Sequence, residues 1–253
     1  MGPWLAILNW SARALAIPGV KGTWNYGARR LWRRRFKRVF GSTAHEYSIA
    51  YANLEVNPAI QQIARPVNAQ LSDFPLAKPA RPTMMFSAQK VVSGSELRAL
   101  SYIGPSLFSN GGIVGKVVAD DSIADRLDLD FISFGAMSNL KTLDVFANAA
   151  NHLAEYDGAL GFFVSKADKN PLCGVQAGFD YGIILKIHPH QFPQRTWIAC
   201  AGVGEWGTSG STWFLSNRWA EIAKTVGEND QFVCVIEVKP GQDESARLHH
   251  FRK

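Results

Sequence analysis

Glu205 lies within Gly202-Val203-Gly204-Glu205-Trp206-Gly207-Thr208-Ser209-Gly210, and a carboxylate set among glycines and small hydroxyl residues is a candidate for chemistry. The apolar run Trp197 to Ala201 leads into this stretch, and a helical pattern from Ser211 to Lys224 leaves it. A strand, a glycine turn and a helix in that order aim free backbone N–H groups and the positive end of a helix dipole at one point, which suits an anionic or polar ligand. Gly202, Gly204 and Gly207 also satisfy the dinucleotide pattern G-x-G-x-x-G in the context it requires. That pattern wants an acidic residue at the end of the next strand, and here Glu221 falls within the helix while Glu237 comes too late. Glu205 would repel a phosphate at close range, whereas it suits ribose hydroxyls. It could equally act as base or nucleophile in cleaving a glycosidic bond, with Trp206 stacking on a base. The competing reading makes Glu205 a partner of the helix dipole and Trp206 a filler of the core edge.

Two further segments carry polar groups to the ends of expected strands. Gly115 to Ala119 ends in Asp120-Asp121, and Phe131 to Phe134 empties into Gly135-Ala136-Met137-Ser138-Asn139 before a helix from Leu140 to about Leu153, with Ser138 or Asn139 as its cap. Ligands of α/β domains gather beyond the carboxyl ends of the strands. If these strands are neighbours, their loops form one pocket with Gly202 to Ser211. The expected site then has Glu205 as catalytic carboxylate and Asn139 or Asp120 positioning a sugar. Its ligand contacts are Gly135, Ser138, Asn139, Gly202, Gly204, Trp206, Gly207, Thr208, Ser209 and Gly210. The candidate ligand or cofactor is a nucleotide or NAD. Thr208-Ser209 does not form a nucleophile elbow, and His188-x-His190 lacks a third ligand at metal spacing, so no metal is expected.

These residues must be positioned by alternating strands and helices. Tyr47 to Val56 reads as a first strand, and residues 57–84 hold Pro58, Pro66, Pro75, Pro79 and Pro82, the composition of a long surface excursion, either a flap or an ordered crossover. Ser93 or Ser95 caps a helix through Ile103, with Glu96 as the capping-box partner of Ser93. Gly161 to Val164 reads as a further strand. Tyr181 to Ile187 and Trp197 to Ala201 are joined by a connection too short for a helical crossover, so they pair antiparallel. Phe232 to Val238 closes the core, and the polar tail from Gly241 adds little to it. The expected fold is a three-layer, Rossmann-like α/β domain over residues 42–253, with a mixed, mostly parallel sheet.

The chain has 253 residues and a net charge of +6, but residues 1–41 hold nine basic and no acidic residues, so the remainder is net acidic. The basicity therefore says nothing of nucleic-acid binding by the globular part. Residues 3–20 are apolar but interrupted by Asn9, Arg13 and Pro18, and Arg13 at mid-membrane would cost about 2.5–3.5 kcal/mol. A membrane span and a signal peptide both fit poorly. Residues 29–40 form a basic amphipathic helix, with Trp32, Phe36, Val39 and Phe40 on one stripe and Arg30, Arg34 and Arg38 on another. Trp32, Arg33, Arg34, Arg35, Phe36, Lys37 and Arg38 are the candidates for binding an anionic membrane surface or an acidic partner. Nucleic acid, or packing of the helix on its own domain, would use the same pattern. Cys173, Cys200 and Cys234 are too few and scattered for a disulfide framework, which points to a reducing, cytoplasmic setting.

Asp130-Phe131-Ile132-Ser133-Phe134-Gly135 with Ser138-Asn139, then Asp180-Tyr181-Gly182 and Gly204 to Gly210, resemble a group of uncharacterised bacterial proteins over about residues 125–245. That resemblance implies no activity. In architecture the chain is similar to nucleotide-sensing and nucleoside-cleaving α/β domains of bacterial signalling and defence. Three functions follow as alternatives. The first is a domain that senses a nucleotide-like, ribose-bearing ligand at a membrane face, the second a nucleosidase or NAD-cleaving glycosidase using Glu205, and the third a structural protein without a small ligand.

Overall fold

A computed structural model describes residues 18–41, 46–55, 90–174 and 176–253, with side chains in the first segment described from residue 28. The apolar head upstream of residue 18 and the proline-rich excursion at 57–84 lie outside the described residues. Helix α1 (Pro18–Phe40) precedes β1 (Tyr47–Tyr51), and the short β2 (Leu54–Glu55) and β3 (Lys90–Val91) pair with each other. Then follow α2 (Gly94–Ser106), β4 (Gly115–Ala119), β5 (Asp130–Phe134), α3 (Leu140–Ala147), β6 (Ala154–Asp157), β7 (Phe162–Ser165), β8 (Asp180–Ile187), β9 (Trp197–Gly202), α4 (Glu205–Thr225), β10 (Phe232–Lys239) and β11 (Gln242–Arg252).

Seven strands form one mixed sheet in the order β11-β10-β8-β9-β5-β1-β4. β4, β1, β5 and β9 run parallel, so their carboxyl ends share one edge, while β8, β10 and β11 pair antiparallel. Successive strand residues point to opposite faces. Ile132, Phe134, Ile184, Ile198 and Cys200 therefore join a cluster with α1, α2 and α4 residues, and Phe131, Ile183, Leu185, Trp197 and Ala199 join another with Val145 and Phe146 of α3 and Phe163 of β7. The near-continuous apolar runs of β8, β9 and β10 are what a sheet covered on both faces requires.

Four sequence expectations are corrected. The helix expected from Ser211 begins at Glu205, because the glycine run is its first turns and not a loop. A Cβ on Gly207 would strike the Tyr181 carbonyl and one on Gly202 would strike Thr208, so these glycines let α4 press against β8 and β9. The first strand breaks after Tyr51, and α3 ends at Ala147, where the buried Asn151 amide takes the Val145 and Phe146 carbonyls. Finally, the tail is the edge strand β11, and its Asp243 and Ala246 are buried.

Candidate functional site

Buried polar side chains meet at the carboxyl ends of β1, β4 and β5. Asp120 follows β4, and its Oδ1 accepts from the Asn53 N–H at 3.1 Å and the Asp121 N–H at 2.9 Å, while Oδ2 accepts from the Leu140 N–H at 2.8 Å. One carboxylate thus ties the end of β1, the turn after β4 and the start of α3. Asn139 is the expected cap of α3: its Oδ1 accepts from the N–H groups of Lys141 and Thr142 at 3.0 and 3.3 Å, and its Nδ2 donates to the Ala50 carbonyl at 3.0 Å. Gly135 turns the chain out of β5 with φ of +80°, a conformation glycine adopts without strain. Around this buried floor, Met137, Ser138 and Leu140 are exposed as a rim.

Glu96 completes the floor, and sequence reasoning assigned it elsewhere. Ser93 does cap α2, accepting from the Glu96 N–H at 3.2 Å, but the Glu96 carboxyl does not return to Ser93. Its Oε2 accepts instead from the Ala52 N–H at 2.7 Å, and its Oε1 faces Gly135, where an added Cβ would lie 3.2 Å away. Glu96 is only 1% exposed. Burial raises its pKa to about 7, the Ala52 N–H opposes that, and the nearby charge of Asp120 adds to it.

The glycine run is arranged differently. Asp180, the first residue of β8, accepts from the Gly204 N–H at 3.0 Å and the Gly207 N–H at 2.8 Å, so the chain supplies its own anion at the α4 N-terminus. Gly207, Thr208, Ser209 and Gly210, expected as ligand contacts, are buried inside the helix packing, since they face β8, β10 and β11. Ser209 Oγ donates to Asp243 at 2.6 Å. Arg98 of α2 reaches the same point: it lies 3.3 Å from Asp243 and 3.9 Å from Glu205, and it stacks 4.0 Å from the centroid of the Trp206 ring. Trp206 therefore already has a cation on its face, and Glu205 is an exposed residue beside that cation.

Asp120, Gly135, Ser138 and Asn139 are thus brought together, and Gly202 to Glu205 lie one strand away, linked through the Gly135 N–H bonded to the Cys200 carbonyl. Glu96 and Arg98, two positions apart at the start of α2, address one group each. No signal in the sequence marked Arg98, Asp180 or Asp243 for these contacts. Among the described residues, no group of three or more His, Cys, Asp or Glu side chains could hold a metal ion. Cys200 is buried, and burial pushes its thiol up to about 12, the state of an inert core residue.

Most of the apolar stripe of α1 belongs to the core, while Trp32 stays 43% exposed. Phe36, Val39 and Phe40 are fully buried, Phe36 packs edge-on to Trp219 of α4, and Trp32 does the same at 4.6 Å. Phe36 is therefore not available as a membrane anchor, because the domain's own helix α4 covers it. Arg33, Arg34, Arg35 and Arg38 remain exposed and Lys37 is half-buried. No helix among the described residues is long and apolar enough to cross a membrane.

Comparison with protein-family models, curated proteins and solved structures finds no match to this chain. What the structure defines is an α/β protein with a mixed seven-stranded sheet and a buried carboxylate at the carboxyl ends of its parallel strands.

Proposed function

We propose that this chain binds a ribose-bearing, nucleotide-like ligand at the carboxyl ends of β1, β4 and β5, in a layered arrangement read as Rossmann-like. The observation that carries this reading is Glu96, a buried carboxyl whose Oε1 is directed at the Gly135 turn. Such a group accepts hydrogen bonds from sugar hydroxyls, with Ser138 on the rim as a second contact. A phosphate at the α4 N-terminus is disfavoured, because Asp180 occupies that position. Titration of the folded protein with AMP, NAD and adenosine tests the reading. Saturable binding that weakens about tenfold or more in Glu96→Ala supports it, the loss expected for a hydrogen bond to a charged group. Binding unchanged by Glu96→Ala overturns it.

A second reading, cleavage of a nucleoside or of NAD, is favoured by one observation: the burial of the Glu96 carboxyl, which pushes its pKa up to about 7 and matches it to proton transfer at neutral pH. Glu96 would then be the general acid or base in place of Glu205, which is exposed beside Arg98. Chromatography of released base after incubation with NAD and nucleosides separates turnover from binding. Release that persists in full in Glu96→Gln would remove Glu96 from that role.

A further inference from the structure

The arginines of α1 are not consumed by the fold. Arg29, Arg30, Arg33, Arg34, Arg35 and Arg38 stay exposed, and none of them has an ion-pairing carboxylate among the described residues. Of these arginines, only Arg38 makes a side-chain hydrogen bond among the described residues, from Nη1 to the Ala223 carbonyl at 3.3 Å. Six like charges on under three turns of helix repel one another, so the face is complementary to an external polyanion.

What borders this face identifies the polyanion. The turn Leu107–Gly111 packs on α1: Trp32 Nε1 donates to Asn110 Oδ1 at 3.2 Å, Phe36 lies against Gly111, and the Arg33 guanidinium approaches Gly112. That turn presents Phe108 at 65% exposure and leads to Val114 at 76%, while Leu31 on α1 itself is 61% exposed. Nucleic-acid phosphates would use the arginines and leave these apolar side chains in water. A bilayer surface takes both, with headgroup phosphates and carboxylates against the guanidinium groups and the apolar side chains in the acyl boundary. Phe36, Val39 and Phe40 are buried and cannot serve, so the apolar contact passes to Leu31, Phe108 and Val114, beside the part-exposed Trp32.

We propose that the arginine face of α1, with Leu31, Phe108 and Val114, docks on an anionic lipid bilayer. This is independent of the ligand reading at Glu96. The full chain is sedimented with phosphatidylcholine vesicles, with or without phosphatidylserine, across a salt series. Binding is expected only with phosphatidylserine, weakened by salt, and reduced about fivefold for each of Arg30 and Arg34 changed to Gln. A Phe108→Ser, Val114→Ser chain, changed only at exposed positions, is expected to keep its circular dichroism and thermal midpoint while its vesicle binding falls. The proposal is overturned by absent binding to acidic vesicles, or by equal binding of the arginine variant. It is also overturned if duplex DNA binds and vesicles do not, with the Ser variant binding DNA as well as the parent does.

Discussion

Glu96 concentrates the physical tension of this molecule in one residue. Its carboxyl holds a proton up to about pH 7 in the folded chain, against an ordinary value of 4.5. Between those two values the unfolded state is ionised and the folded state is not. Folding stability linked to this group is therefore greatest below 4.5, falls as pH rises through the window, and is lowest once both states are charged. The difference amounts to roughly 3 kcal/mol above neutrality. Glu96→Gln keeps an acceptor for the Ala52 N–H and carries no charge. We expect its thermal midpoint to equal that of the parent near pH 4 and to exceed it near pH 8. Parallel pH curves for the two proteins would show that Glu96 ionises without penalty. A group that destabilises the fold when charged is the kind retained for binding or proton transfer.

At the level of elements, α4 depends on a cap that comes from another strand. Asp180 holds the Gly204 and Gly207 N–H groups, replacing the side-chain cap that Gly204 cannot provide. Asp180→Ala leaves two N–H groups and a helix dipole without their anion, and should cost about 1–2 kcal/mol in urea denaturation. If a phosphate ligand used this helix end, the same variant would bind inorganic phosphate more tightly than the parent. The parent itself is expected to bind no phosphate there, since Asp180 already accepts from those N–H groups. Helix α1 is likewise an element of the domain: Lys186, buried in β8, donates to the Arg38 carbonyl at the end of α1 and to the Glu228 carbonyl after α4, at 2.8 Å each. Burial lowers the Lys186 pKa to about 8 while the charges of Asp230 and Glu228 oppose that, so the ammonium is retained near neutrality.

Across the whole molecule, the last strand closes one edge of the sheet. β11 covers the edge of β10, and its buried Asp243 gathers Arg98, Tyr102 and Ser209 from α2 and α4. A chain ending at Lys239 would expose the β10 edge and leave Arg98 and Tyr102 without that carboxylate. It should aggregate on expression, or melt well below the parent in a thermal scan; a truncated chain as stable and soluble as the parent would refute this role.

Local pattern determined much of this architecture. The strands β4, β5, β7, β8, β9 and β10, the antiparallel turn between β8 and β9 and the Asn139 cap all follow from periodicity, short connections and side chains acting within three residues, whereas β6 went unmarked. The tertiary structure alone decided where long-range partners went. Glu96 had a local acceptor role in view but found the Ala52 N–H 44 positions away. Asp180 took the α4 N-terminus from 24 and 27 positions away, so the glycine run became a packing surface. The same chemistry that marks a ligand site in sequence, free N–H groups and a carboxylate, is satisfied by whichever group the fold brings nearest. Sequence spacing carries no record of which group that will be.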